Sequence, residues 1–430
     1  MNYYKSIFIM LGISFLFLFE GCLSHKQVPN SIYSDNYSTL STSEQRALSP
    51  HEKSLSKQDA INIALAGNPG YKRAKFEADA AQTEYYKALG ALSPVVAVAT
   101  NTPGVSANYQ AFNGGSTVMN ILSAKAKAEQ SEWDVKDHRR KLIQDIIVQD
   151  NQLYKNSANL NIQAANEKFQ SEMAKETIQK YNKGKASKAD ILNFKIQALE
   201  AINAALTAER DYRINSYKLA ASMGTTTAKL PGTAEIEEQS LSDTTDIDKK
   251  ELVPGVNFYL DTAITRRPDL KAQREALKAA GYELYSAWGK LLPTIGVGLG
   301  SRIGFQTQLS WYLLKGGSRI AAIRSKEALY GIQQEVLLKK WIDVVQNVKT
   351  KHENLTANTT RKKLIDQAVK IAIQRRNLVL KKYNTGKADI AELNQAQNDL
   401  VNARLSSKQA DVNVSNAKAS LNAACGIQQY

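Results

Sequence analysis

KYNKGKASKADILN, from Lys180 to Asn193, returns as KYNTGKADIAELN, from Lys382 to Asn394. The two stretches stand 202 residues apart, and the same offset relates Gly114-Gly115 to Gly316-Gly317 and Gly224 to Gly426. Upstream, NPGYKRAKFEADAAQTEYYKALGALSP (Asn68 to Pro94) aligns with RPDLKAQREALKAAGYELYSAWGKLLP (Arg267 to Pro293) at an offset of 199. The chain is an internal duplication, and the change of offset falls between Pro94 and Gly114.

Each copy has the same order. A segment of helical period ends at Pro94 or Pro293, a β-like segment follows, and Gly-Gly opens a long helical run to the KYN turn. A shorter helical run returns from the turn to the closing glycine. Ser116 to Lys183 is 68 residues without Gly or Pro, and the equally long Ser318 to Thr385 contains only Gly331. At 1.5 Å per residue such a helix reaches roughly 100 Å, far beyond what a globular domain uses, so it must pack along neighbours. The returning run shows a seam: Leu393, Leu400, Ser407, Val414 and Leu421 recur every seven residues, interleaved with Ala396, Ala403, Ala410 and Ala417. The first copy repeats it with Ile191, Ala198, Ala205, Tyr212 and Leu219, and with Phe194, Ala201 and Ala208 between them. So many alanines predict closely approaching antiparallel helices.

The β-like segments, about 94–112 and 293–314, each predict two strands of roughly nine residues, the length of a tilted membrane-spanning strand. Ile295, Val297 and Leu299 alternate with Thr294, Gly296, Gly298 and Gly300, and Phe305, Thr307, Leu309, Trp311 and Leu313 alternate with polar neighbours. One face suits lipid and the other water; a soluble hairpin half-covered by helices has the same period. Two hairpins cannot close a barrel within one chain, so the barrel reading requires oligomerisation.

The remaining features narrow the class. The net charge of +15 is scattered among carboxylates instead of forming a basic block, which argues against a nucleic-acid partner. Lys5 precedes the apolar run Ile7 to Phe19, which has the layout of an export signal and is too short to span a membrane. The only other cysteine besides Cys22 is Cys425, among small residues, and the four histidines are isolated, so neither a disulfide framework nor a metal site is expected. GxxxxGK[ST] is absent, Ala186 following Lys185, and neither a catalytic constellation nor a cofactor motif is present. An enzyme is not expected, nor any cofactor.

These residues together resemble the outer-membrane efflux protein family of TolC-like outer-membrane factors. The resemblance rests on the duplicated module, RPDL at Arg267 to Leu270, LLPTIGVGLG at the strand start, KGGSRIAAI at the strand-to-helix junction and the Tyr-x-x-Gly turns. It implies a mainly α fold with a transmembrane β-barrel portion: a homotrimer in which a twelve-stranded outer-membrane barrel continues into a long periplasmic α-helical barrel. Residues 1–22 resemble a lipoprotein signal ending at a lipidated Cys22, and 23–55 an extended tail. The first repeat would span 56–224, with a long helix 116–183 and return helix 186–223. An equatorial linker would span 225–256, and the second repeat 257–430, with a long helix 318–385 and return helix 387–425.

The implied function is a passive exit channel in the cell outer membrane, lipid-anchored, its tunnel in the periplasm. It would receive cargo from a periplasmic adaptor and an inner-membrane pump. A type I protein secretion duct and a coiled-coil lipoprotein without a pore are the alternatives. The resemblance also implies a periplasmic aperture at Asp190, Asn193, Glu392 and Gln395, with Gln395 standing where many members carry an acid. Adaptor contacts would fall on Tyr181, Asn182, Lys183, Gly184 and Lys185, and on Tyr383, Asn384, Thr385, Gly386 and Lys387.

Overall fold

A computed structural model describes residues 56–99, 104–184, 186–225, 254–300, 304–311 and 317–427. Cys22, the tail 23–55, most of the 225–256 linker and Lys185 lie outside the described residues. The described elements are α1 (Lys57–Gly67), α2 (Pro69–Gly90), β1 (Val95–Ala99), β2 (Gly104–Asn113), α3 (Ser116–Asn182) and α4 (Lys188–Met223). They recur as α5 (Val256–Arg266), α6 (Pro268–Gly289), β3 (Thr294–Gly300), β4 (Gly304–Ser310), α7 (Ser318–Asn384) and α8 (Ile390–Ala424).

Local chemistry sets the helix ends. Pro69 and Pro268 open α2 and α6 at the position where a missing N–H costs nothing. α3 and α7 are each 67 residues long and start from a left-handed glycine, Gly115 (φ 78°) and Gly317 (φ 72°). Gly331 is absorbed without interrupting α7. The return helices begin two or three residues later than expected, because Ser187 and Asp389 act as N-caps, accepting from the N–H groups of Asp190 and Glu392.

α3 packs on α2 and α6 in the half nearer the strands, and on α4 and α8 in the half nearer the turns. α7 packs on α6 and then α8. Each half is a layer of four helices, in the orders α2-α3-α6-α7 and α4-α3-α8-α7. α3 is interior in both, whereas α7 is at an edge in both. The alanine seam lies inside: Phe194, Ala201, Ala208 and Leu219 are buried on α4, as are Leu393, Ala396, Leu400, Ala410, Ala417 and Leu421 on α8. Fully burying a side chain such as Phe194 or Leu393 contributes about 1.5–3 kcal/mol. Near the middle of the long helices, α1 seats Ala60, Ile61 and Ala64 on Ile143, Ile146 and Ile147 of α3. In the second copy, Ala263 of α5 meets Val344 and Val348 of α7.

The strands are 5, 10, 7 and 7 residues long, not uniformly nine. They form one antiparallel sheet, β1-β2-β3-β4, because β2 also pairs with β3 and so joins the two repeats. The sheet is not closed within one chain. Register places Ile295 opposite Leu309 and Leu299 opposite Phe305, with Ala107 opposite Leu299 and Tyr109 opposite Val297. All of these share one face. Between Gln110 and Phe112 the register slips by one residue, a bulge that keeps Phe112, opposite Ile295, on that apolar face. The other face carries Ser106, Asn108, Gln110, Gly296, Gly298, Gln306 and Gln308.

Candidate functional site

At the turns, Gly184 (φ 70°) and Gly386 (φ 72°) hold the left-handed conformation that reverses the chain, and their N–H groups donate to the carbonyls of Tyr181 and Tyr383. The two tyrosines then diverge. Tyr181 is 43% exposed. Tyr383 packs edge-on against Phe194 of the other hairpin, with ring centroids 6.3 Å apart, while Lys180 Nζ sits 4.7 Å above its ring. Burial pushes the Tyr383 phenol up, and the nearby Asp190 and Glu176 carboxylates add to that shift. Tyr383 is therefore a half-buried bridge between hairpins, whereas Tyr181 is open to solvent. Asn182, Lys183 and Gly184, and Asn384, Thr385, Gly386 and Lys387, are exposed around the turns.

The four aperture candidates are also unequal. Asp190 closes a capping box, accepting from the Ser187 N–H at 2.8 Å while its own N–H donates to Ser187 Oγ at 3.1 Å. In the second copy Asp389 stands where Ser187 does, its Oδ1 accepting from the Glu392 N–H at 2.7 Å, and the Glu392 side chain, in the place of Asp190, is exposed. Asn193 is exposed, and Gln395 Nε2 donates to Asp399 Oδ1 at 2.8 Å; Asp399 is in turn paired with Arg375. Asp389 was not singled out from the sequence. The signal was available, since an Asp three residues before a Glu at a helix start is a cap pattern.

Above the turns, Gln397 Nε2 donates to Asn166 Oδ1 at 2.9 Å, and Arg376 lies 4.8 Å from the Phe169 ring centroid. Gln170 is 1% exposed, and its amide has no hydrogen-bond partner among the described residues.

Further up, two arginines converge on the C-terminus of α8. Arg140 Nη1 donates to the Ala423 carbonyl at 2.8 Å, and Arg267 Nη1 to that of Ala424 at 3.1 Å. Each is also held by an aspartate, Asp137 for Arg140 and Asp269 for Arg267. Cations at a helix C-terminus satisfy its last carbonyls and match its dipole. Burial pushes the Asp269 carboxyl up, but Arg267 and Lys340 outweigh it and hold the group well below the usual carboxylate range. Burial also pushes the neighbouring Cys425 thiol up to about 11, against the pull of Arg267. That thiol is inert at neutral pH.

Two features face outward. Leu192, Leu199 and Leu206, spaced by seven on α4, are 53%, 66% and 60% exposed; Leu364, Ile371 and Leu378, spaced by seven on α7, are 63%, 65% and 61% exposed. Trp288, Leu292 and Trp311, at the junction of strands and helices, are also more than half exposed, as are Leu299, Phe305 and Leu309 on the apolar sheet face. Among the described residues, no group of His, Cys, Asp and Glu could hold a metal ion, and no helix is long and apolar enough to cross a membrane.

The architecture is a duplicated helix-strand module with one open, one-side-apolar sheet and two 67-residue helices. Residues 259–427 match the family model described as Outer membrane efflux protein, in agreement with the resemblance drawn from the sequence. No curated protein sequence matches the chain. Among solved structures, the fold is shared with the outer membrane protein VceC of Vibrio cholerae, at 16% identity and a TM-score of 0.71 over 89% of this chain and 97% of that one. It is shared too with the MtrE channel of Neisseria gonorrhoeae in its open state, at 16% identity and a TM-score of 0.72 over 86% and 89%. The CmeC channel of Campylobacter jejuni aligns at 11% identity and a TM-score of 0.71 over 87% and 88%.

Proposed function

We propose that this chain is the outer-membrane exit channel of a tripartite efflux system, a passive conduit fed by a periplasmic adaptor and an inner-membrane pump. Three copies, each giving four strands, would close a twelve-stranded barrel in the outer membrane, with the helices forming a tunnel into the periplasm and Cys22 carrying the lipid anchor. The observation that carries this reading is the pair of unpartnered edges. An open sheet with an apolar outer face, together with exposed heptad stripes on both edge helices of one layer, suits a ring of copies in which α4 of one lies against α7 of the next. Counted from the turns, the three positions on α4 and the three on α7 fall at matching depths, within about 3 Å at 1.5 Å per residue. The exposed tryptophans at the strand-to-helix junction suit the aromatic girdle at a membrane interface.

At the turns, Glu392 and Asp389 are the side chains we assign to a cation-sensitive constriction, with Gln395, Asn193 and Asp190 as its surroundings. Tyr181, Lys183 and Lys185, with Lys387, form the adaptor-facing tip. Carboxylates from three copies around a narrow pore repel one another and bind cations, so charge tunes an aperture held by helix packing. Single-channel recording of the purified protein in planar bilayers tests the conduit: discrete conductance steps are expected, and a protein that inserts without conducting refutes it in favour of a coiled-coil spacer.

A further inference from the structure

Just below the sheet, the layer of α2, α3, α6 and α7 lines a half-open cavity of ≈ 980 Å³ to which all four helices contribute. Helices side by side that all reach one cavity curve around it, so it marks the concave side of the layer. Five cations line it, Lys87, Lys127, Lys290, Arg319 and Lys326, against two carboxylates, Glu84 and Glu283. Both carboxylates are already matched: Glu283 lies 2.5 Å from Lys127 Nζ and 2.5 Å from Lys326 Nζ, and Glu84 lies 3.0 Å from Lys87 Nζ. The net charge of these lining residues is +3 per chain.

The cavity is continuous with the polar face of the sheet. Asn113, paired with Thr294 on that face, accepts from the Thr117 N–H at 3.1 Å, and Thr117 lines the cavity. The four strands themselves carry no Asp, Glu, Lys or Arg among the described residues. Among the described residues along this path, the cationic belt is the first fixed charge beneath a neutral strand lining.

We infer that this belt makes the conduit anion-selective, so that the cargo it favours is negatively charged: small carboxylates, phosphates or anionic amphiphiles. The inference rests on the conduit reading above. Three copies bring nine excess charges to one level of a water-filled passage with low-dielectric walls, which concentrates anions and repels cations. Screening limits its reach to about 10 Å at 0.1 M salt and about 3 Å at 1 M, so the selectivity falls as salt rises.

The test is the reversal potential of the purified full-length protein in planar bilayers under a KCl gradient. Chloride should be preferred over potassium severalfold in dilute salt, and the ratio should approach one in concentrated salt. The double variant Lys87→Glu/Lys290→Glu turns the excess of three positive charges into one negative charge per chain and should reverse the preference. Glu283→Gln acts in the opposite direction and should raise the chloride preference, giving a second reading if the double variant does not assemble. A channel that prefers potassium, or whose preference ignores these substitutions, overturns the belt and leaves the conduit standing. A protein that never conducts removes the conduit itself.

Discussion

α3 and α7 are the same helix written twice: 67 residues each, opened by a left-handed glycine and closed by Lys-Tyr-Asn. Yet 17 side chains are buried on α3 and only 5 on α7. The difference is position. α3 is flanked on both sides along its whole length, first by α2 and α6 and then by α4 and α8, whereas α7 has neighbours on one side only. Duplication gave two equal modules, and packing them side by side made one a centre and the other an edge. An edge that still carries Leu364, Ile371 and Leu378 on its open face suits the contact between copies proposed above.

The sharpest way to break this comparison is at the edge. Leu199→Glu on α4 should abolish the proposed trimer, read by native mass spectrometry or gel mobility, while far-UV circular dichroism stays unchanged. Combining Leu199→Lys with Ile371→Glu should restore assembly if these two stripes meet between copies. A trimer that tolerates Leu199→Glu shows that α4 and α7 are not the seam.

At the centre the expected effect is on the folded chain itself. Phe194 is fully buried against Tyr383, and Phe194→Ala should cost about 3–5 kcal/mol in urea unfolding. In single chains released by Leu199→Glu, Ile371→Ala should change stability by no more than about 0.5 kcal/mol, since that side chain is 65% exposed in one chain. Equal losses at the two sites would mean that α7 is no edge.

Arg267→Leu should cost a further, comparable amount, about 3–5 kcal/mol, because it leaves the Asp269 carboxylate buried beside Lys340 alone. The pH dependence has a definite sign. A carboxyl depressed in the folded state stabilises above its unfolded value, near 3.9, and that contribution is lost as pH falls from there through the folded value. Asp269→Asn should therefore flatten the acid side of the stability profile below about pH 4 and leave its neutral shape intact. A profile as steep as that of the parent chain would assign the acid sensitivity elsewhere.

The smallest contrast is between the two turn tyrosines. Tyr383→Ala should destabilise by about 2 kcal/mol through its lost packing on Phe194, and Tyr181→Ala by less than about 0.5 kcal/mol. If adaptor binding uses the exposed tip, Tyr181→Ala should weaken it at unchanged stability.

Much of this architecture is legible in the sequence because its signals are long. Gly-free and Pro-free runs, sevenfold alanine spacing and repeated turn glycines each extend over dozens of residues, so local exceptions such as Gly331 do not obscure them. The rest depends on what meets what. The seam alanines look alike in both copies, so nothing local marks α3 as central. Leu192, Leu199 and Leu206 form a second stripe hidden behind the first, because a heptad reading assigns one face per helix. The bulge at Ala111 and the β2–β3 pairing are long-range events without a local signature. Arg140, Arg267 and their aspartates read as scattered charge until α8 arrives between them. At the candidate aperture, the glycine alignment pairs Asp190 with Glu392 but does not register that the equivalent N-caps are Ser187 and Asp389, so that the second copy carries an extra acid.

The clamp on the end of α8 has a consequence in time. Arg140 reaches the Ala423 carbonyl across 283 residues of chain, so the central helix completes its packing only once α8 has been made. Contacts of such separation form late and slowly. Until α8 docks, α3 exposes the surface that α8 will cover. Loss of the last two turns of α8 would leave a chain that cannot finish.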